Sequence, residues 1–174
     1  ISISAYYLLK QKFVPFAKKC LSSAIIVAMI IIPLQIFVGD MSGINVLKEQ
    51  PLKTAAIEGV WETQKGAPLL LLALPSTTQQ KNLLEIGIPH GAALINTHKL
   101  DGELIGLKSV PASDQPEAWI VFYSFRVMAG LGMLMLLYAL LAVFMLSRNK
   151  LYTSKFMLYF SKYMAPSGFI AILT

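Results

Sequence analysis

Long apolar runs, separated by short basic loops and one extended mixed segment, organise this chain of 174 residues. Residues 1–9 read as the tail of an apolar helix, with Tyr6 and Tyr7 where aromatic side chains settle at a membrane–water boundary. Lys10, Lys12, Lys18 and Lys19 mark a polar loop over 10–20. Residues 21–38 form an apolar run near the roughly 17–25 residues that a spanning helix needs. Pro33 and Gln35 interrupt its second half, a break tolerated where neighbouring helices or waters satisfy the freed backbone groups. Gly39-Asp40-Met41-Ser42-Gly43 predicts a turn out of the bilayer.

Residues 39–117 are mixed, polar and punctuated by Pro and Gly, and a connection of this length is more often functional than a spacer. Its opening, 51–64, is predicted helical: Pro51 suits a first helical position, and Leu52, Ala56 and Val60 recur at every fourth residue. Leu69 to Leu74 is too short to span and is expected to form a hairpin with Leu83 to Ile88 around Pro75-Ser76-Thr77-Thr78. Residues 118–146 are the strongest spanning helix, with Trp119 and Tyr123 at one end. A basic loop, 147–156, follows, and 157–174 begins another span. The pattern predicts an all-α membrane protein, a polytopic transmembrane helix bundle with one long loop outside the bilayer.

Composition agrees. Hydrophobic residues make up 56% and charged ones 14%, against roughly 45–50% and 25% in soluble domains. All nine acidic residues lie between Asp40 and Glu117, where six lysines leave the segment near −3. The other nine Lys and Arg stand beside apolar runs with no acid among them. That asymmetry places loops 10–20 and 147–156 in the cytoplasm and segment 39–117 in the periplasm of a bacterial inner membrane. The net charge of +6 therefore reflects membrane topology. No basic stretch interleaves with aromatics as a nucleic-acid groove requires, so no nucleic-acid partner is expected. One cysteine, Cys20, forms neither an internal disulfide nor a cysteine-built metal site. The chain opens without Met and inside an apolar stretch, which predicts an internal fragment of a longer polypeptide.

Few residues suggest chemistry. Arg126 is the one charge well inside an apolar span. Such a residue either meets a buried carboxylate or a cofactor propionate, or snorkels to the interface. Met128 lies about 200° further round the helix. Its thioether is of the kind that ligates haem iron, and equally of the kind that fills gaps in apolar packing. His90 and His98 match no metal-binding spacing and are expected to bond backbone or water. Lys53 and Glu58 lie five positions apart, about 140° on a helix. They would converge only on a ligand covering that edge, and otherwise form a solvated face.

Four stretches resemble subunit I of cytochrome bd-type quinol oxidases, in order and rough spacing. They are Ser4-Ala5-Tyr6-Tyr7-Leu8-Leu9-Lys10, Gly39-Asp40-Met41-Ser42-Gly43, the run from Gln50 to Gln64, and Phe125-Arg126-Val127-Met128. The resemblance implies roles. Lys53 and Glu58, in the K-x-x-x-x-E stretch, would take part in quinol oxidation. Met128 would be an axial ligand of the low-spin haem b iron, and Arg126 would support that haem. High-spin haem b and haem d, the opposite axial histidine and the proton-channel carboxylates would lie elsewhere in the full subunit, so this piece alone would not be catalytic. The short stretch before Trp119 resembles the short-loop, cyanide-insensitive type.

The implied function is a respiratory quinol:oxygen oxidoreductase. It would oxidise quinol, such as ubiquinol, at the periplasmic side and pass electrons through haem b to reduce oxygen to water, generating a membrane potential. Expected partners are subunit II, small single-helix subunits and membrane lipid. The competing reading is a non-redox membrane scaffold or a transporter module, with Arg126 and the broken run 21–38 lining a path.

Overall fold

A computed structural model describes residues 1–174. The chain is mostly helical and divides into two compact units, Ile1–Ile36 with Val127–Thr174, and Phe37–Arg126. Three segments are long and apolar enough to cross a membrane: Val14–Glu49, Ala112–Ser147 and Lys155–Leu173. Most of their apolar side chains face outward, as in Ile26, Ile30, Leu34, Phe37, Leu137 and Phe144. Such a surface is costly in water and suits lipid or neighbouring apolar helices.

In the first unit, α1 (Ser2–Leu9), the start of α2 (Val14–Glu49), most of α5 (Ala118–Ser147), α6 (Lys155–Tyr163) and α7 (Ser167–Leu173) pack together. Their core joins Ala5, Leu8, Ala17, Leu21, Ile25, Tyr138, Ala142 and Met157. Alanines at these contacts let helix backbones approach closely. Polar groups inside are paired. The Tyr138 hydroxyl meets Ser161 Oγ at 2.6 Å, and Ser2 Oγ donates to the Ser161 carbonyl at 2.7 Å. Lys18 Nζ stands 5.3 Å from the Tyr152 ring centre, and Ser22 bonds the Tyr152 hydroxyl. The two basic loops therefore share one end of this unit. The last apolar stretch is not a single helix, because Met164-Ala165-Pro166 separates α6 from α7.

The helix α2 departs from the sequence expectation. It runs unbroken through Pro33 and through the predicted turn at Gly39–Gly43, ending only at Glu49. Two interior glycines cost about 1 kcal/mol each relative to alanine. Tertiary contacts in the second unit offset this. Leu47 packs on Val60, Ala67, Ala92 and Leu104, and Asp40 Oδ1 lies 3.3 Å from His98 Nε2. The helix ends before Pro51, which disfavours the helical region for the residue before it. Gln50 accordingly sits at φ −138°, ψ 64°.

The second unit builds outward from that corner. Pro51 opens α3 (Pro51–Glu58), which ends at Gly59 with φ +70°. The Val60 amide returns to the Ala55 carbonyl at 2.9 Å. A short strand β1 (Gln64–Lys65) pairs antiparallel with β4 (Glu103–Leu104). The expected hairpin is present as β2 (Leu69–Ser76) and β3 (Lys81–Ile88), turning at residues 77–80. Pro75 fits because β2 has a neighbour on one side only. The helix α4 (Gly91–Thr97) follows, and two 3₁₀ turns lead into α5.

Candidate functional site

Glu58 occupies the last turn of α3. The carboxylate is buried, with its side chain 3% exposed. An isolated charge there would be strongly disfavoured, so it must be paired and hydrogen-bonded. Two donors meet it. Arg126 Nη2 donates to Oε2 at 3.2 Å, and Asn96 Nδ2 donates to Oε1 at 3.1 Å.

Arg126 reaches Glu58 from α5, across 68 residues of sequence. Its fork is spread over three acceptors. Nε donates to the Leu70 carbonyl at 2.8 Å and Nη1 to the Ile57 carbonyl at 2.6 Å, beside the Glu58 contact. The guanidinium carbon lies 4.2 Å from the Phe122 ring centre, a cation–π arrangement. Of the alternatives left open by the sequence, the buried carboxylate is the partner the structure places there. A guanidinium carries five N–H donors, and two remain beyond these three bonds.

The close approach depends on Gly59. A Cβ at that position would come 3.2 Å from Leu70 Cδ1 and 3.3 Å from Phe122 Cε2, on a backbone already left-handed. Beyond it, Asn82 ties β3 to the end of α3. Asn82 Nδ2 donates to the Gly59 carbonyl at 2.9 Å, and Trp61 Nε1 donates to Asn82 Oδ1 at 2.8 Å. A cleft of about 280 Å³ opens there, lined by Trp61, Lys81, Asn82, Glu85 and Lys108 among others.

Lys53 is not brought to Glu58. It is exposed and makes no side-chain hydrogen bond or ion pair. This follows from the roughly 140° between positions five apart on a helix. Met128 lies on α5 with 40% of its surface exposed and belongs to no buried cluster. One turn along, Gly132 has nothing within 4 Å of where a Cβ would stand. His90 Nδ1 lies 3.1 Å from the Leu100 carbonyl, as a backbone-bonded loop histidine. His98 instead meets a carboxylate, that of Asp40. Asn96 and Phe122 carry part of the Glu58–Arg126 site, and no motif in the sequence marked either.

A family model for cytochrome bd terminal oxidase subunit I matches residues 1–174. The chain belongs to that family. Cytochrome bd ubiquinol oxidase subunit 1 of Bacillus subtilis (strain 168) is 33% identical, the match covering 90% of this chain and 36% of that relative. Cytochrome bd-II ubiquinol oxidase subunit 1 of Escherichia coli (strain K12) is 27% identical over 99% of this chain and 46% of its own length. The solved bd oxidase from Geobacillus thermodenitrificans superposes with a TM-score of 0.88 at 26% identity, over 98% of this chain and 39% of that one. The chain thus spans between a third and a half of the length of these relatives.

Proposed function

We propose that residues 39–117 form the periplasmic quinol-oxidising loop of a respiratory terminal oxidase, with Glu58 as the group that accepts a proton from quinol. The observation that carries this is a buried carboxylate held by one neutral and one charged donor, in a loop joined to a membrane helix through Arg126. Oxidising a quinol to a quinone releases two protons and two electrons. A carboxylate within hydrogen-bond reach takes such a proton most effectively when it is already ionised and oriented. Arg126 holds one carboxylate oxygen through an ion pair, and Asn96 holds the other through a neutral hydrogen bond. Exposed Lys53, on the same helix, offers a free ammonium to a quinol oxygen arriving from outside.

The residues of α5 fit a haem on the exposed side of Met128. Its thioether is uncommitted, and Gly132 leaves room beside it for a flat macrocycle. Met128 would hold the iron of low-spin haem b. By the family resemblance, Arg126 would support that haem through its charge. When bound, haem supplies one-electron redox chemistry that the side chains here lack. The contact between loops 10–20 and 147–156, with the basic residues they carry, supports placing both in the cytoplasm of a bacterial cell.

The full protein is then a quinol:oxygen oxidoreductase that reduces oxygen to water and generates a membrane potential. High-spin haem b and haem d are its further cofactors, and subunit II, small single-helix subunits and lipid its partners. The test replaces Glu58 with Gln in the whole oxidase and measures quinol-dependent oxygen uptake. Loss of at least about 100-fold with unchanged haem content is expected from removing a positioned base. Full uptake would overturn the role of Glu58.

A further inference from the structure

We propose that Asn96 is the positioning residue for Glu58, fixing the carboxylate from the far end of the same loop; this rests on Glu58 being the proton acceptor. Asn96 is 8% exposed and lies 38 residues beyond Glu58 in sequence. Its helix is seated from below. The Ala93 amide donates to the Ala67 carbonyl at 3.1 Å, and Ala92 packs on Val60, Ala67 and Leu104.

The amide nitrogen is fully committed. Nδ2 donates to Glu58 Oε1 at 3.1 Å and to the Ala92 carbonyl, four residues back on α4, at 2.9 Å. A primary amide has two N–H donors, so these bonds use both. Turning the amide over would aim its oxygen at two acceptors and lose both bonds. The donor that Asn96 shows Glu58 is therefore fixed by α4 itself.

Its neutrality matters. Arg126 is the one charged group within ion-pair distance of Glu58. Lys53, on the same helix, is exposed and unpaired. Glu62 pairs with Lys108 and His98 with Asp40, and Leu70 of β2 brings no charge. Asn96 thus orients the carboxylate through a neutral donor, without setting a second cation beside it. Each carboxylate oxygen keeps lone-pair capacity for a quinol hydroxyl.

The test uses the whole oxidase in membranes, with haem content and optical spectrum as the check on assembly. Asn96→Asp sets a second carboxylate against Glu58 Oε1. Two carboxylates so placed share a proton, so the acid limb of the kcat/KM profile for quinol should move up by about one pH unit or more. Asn96→Ala removes the donor, and kcat should fall about tenfold with KM for quinol nearly unchanged. An unchanged pH profile in Asn96→Asp, or an unchanged kcat in Asn96→Ala, overturns the proposal while Glu58→Gln remains inactive. Full activity in Glu58→Gln would instead remove the reading beneath it.

Discussion

Replacing Arg126 with Met removes the guanidinium and leaves a side chain of similar length on α5. Three acceptors lose their donor at once: the Leu70 and Ile57 carbonyls and Glu58 Oε2. The partners are 15% and 3% exposed, so water does not readily take the guanidinium's place. Removing one member of a buried pair costs about 3–5 kcal/mol, because the other charge stays behind. At about 1.4 kcal/mol per factor of ten, local opening around α3 and β2 should become about 100- to 4,000-fold more frequent. Amide hydrogen exchange on the intact oxidase reads this at Val60 and along Leu69–Ser76. The double variant Arg126→Met with Glu58→Leu removes the stranded charge too. It should recover at least about a factor of ten, and not the whole loss, since the two carbonyls still lack a donor. Unchanged exchange in the single variant, or no recovery in the double, would refute the view that a stranded carboxylate sets the cost.

Gly59→Ala should destabilise the same corner by about 1–2 kcal/mol, from its left-handed backbone and the two side chains a Cβ would press; denaturant or thermal inactivation measures it. Lys53→Met should raise KM for quinol with little change in kcat, as expected of a contact made equally in the ground and transition states; steady-state oxygen uptake separates the two. Met128→Leu should remove or shift the low-spin haem b band in a reduced-minus-oxidised spectrum, and an unaltered band would discard the ligand assignment.

The spans were legible because they are local. A run of apolar residues the length of a bilayer states its own environment. The hairpin was legible too, since two short apolar runs flank polar turn residues. Gly39–Gly43 misled for a physical reason. Glycine weakens a helix by an amount that a few tertiary contacts reverse, and Val60, Ala67, Ala92 and Leu104 against Leu47, with His98 against Asp40, supply those contacts from further along the chain. The site divides in the same way. Glu58 and Arg126 each stood out, one through the resemblance and one as a charge in an apolar run. That they meet is a contact across 68 residues, which no local pattern encodes. Asn96 gave no signal at all. Its one distinguishing fact is that its helix is anchored beside Ala67, and this exists only in three dimensions.

The central claim is that Glu58 takes the proton that quinol must lose before its electrons can leave. Rapid anaerobic mixing of the fully oxidised complex with quinol tests it most directly, by following haem reduction in a single turnover. In Glu58→Gln, reduction by quinol should slow by about 100-fold or more, while reduction by dithionite keeps its rate and full extent. Haem reduction by quinol at the rate of the unaltered protein would contradict the account.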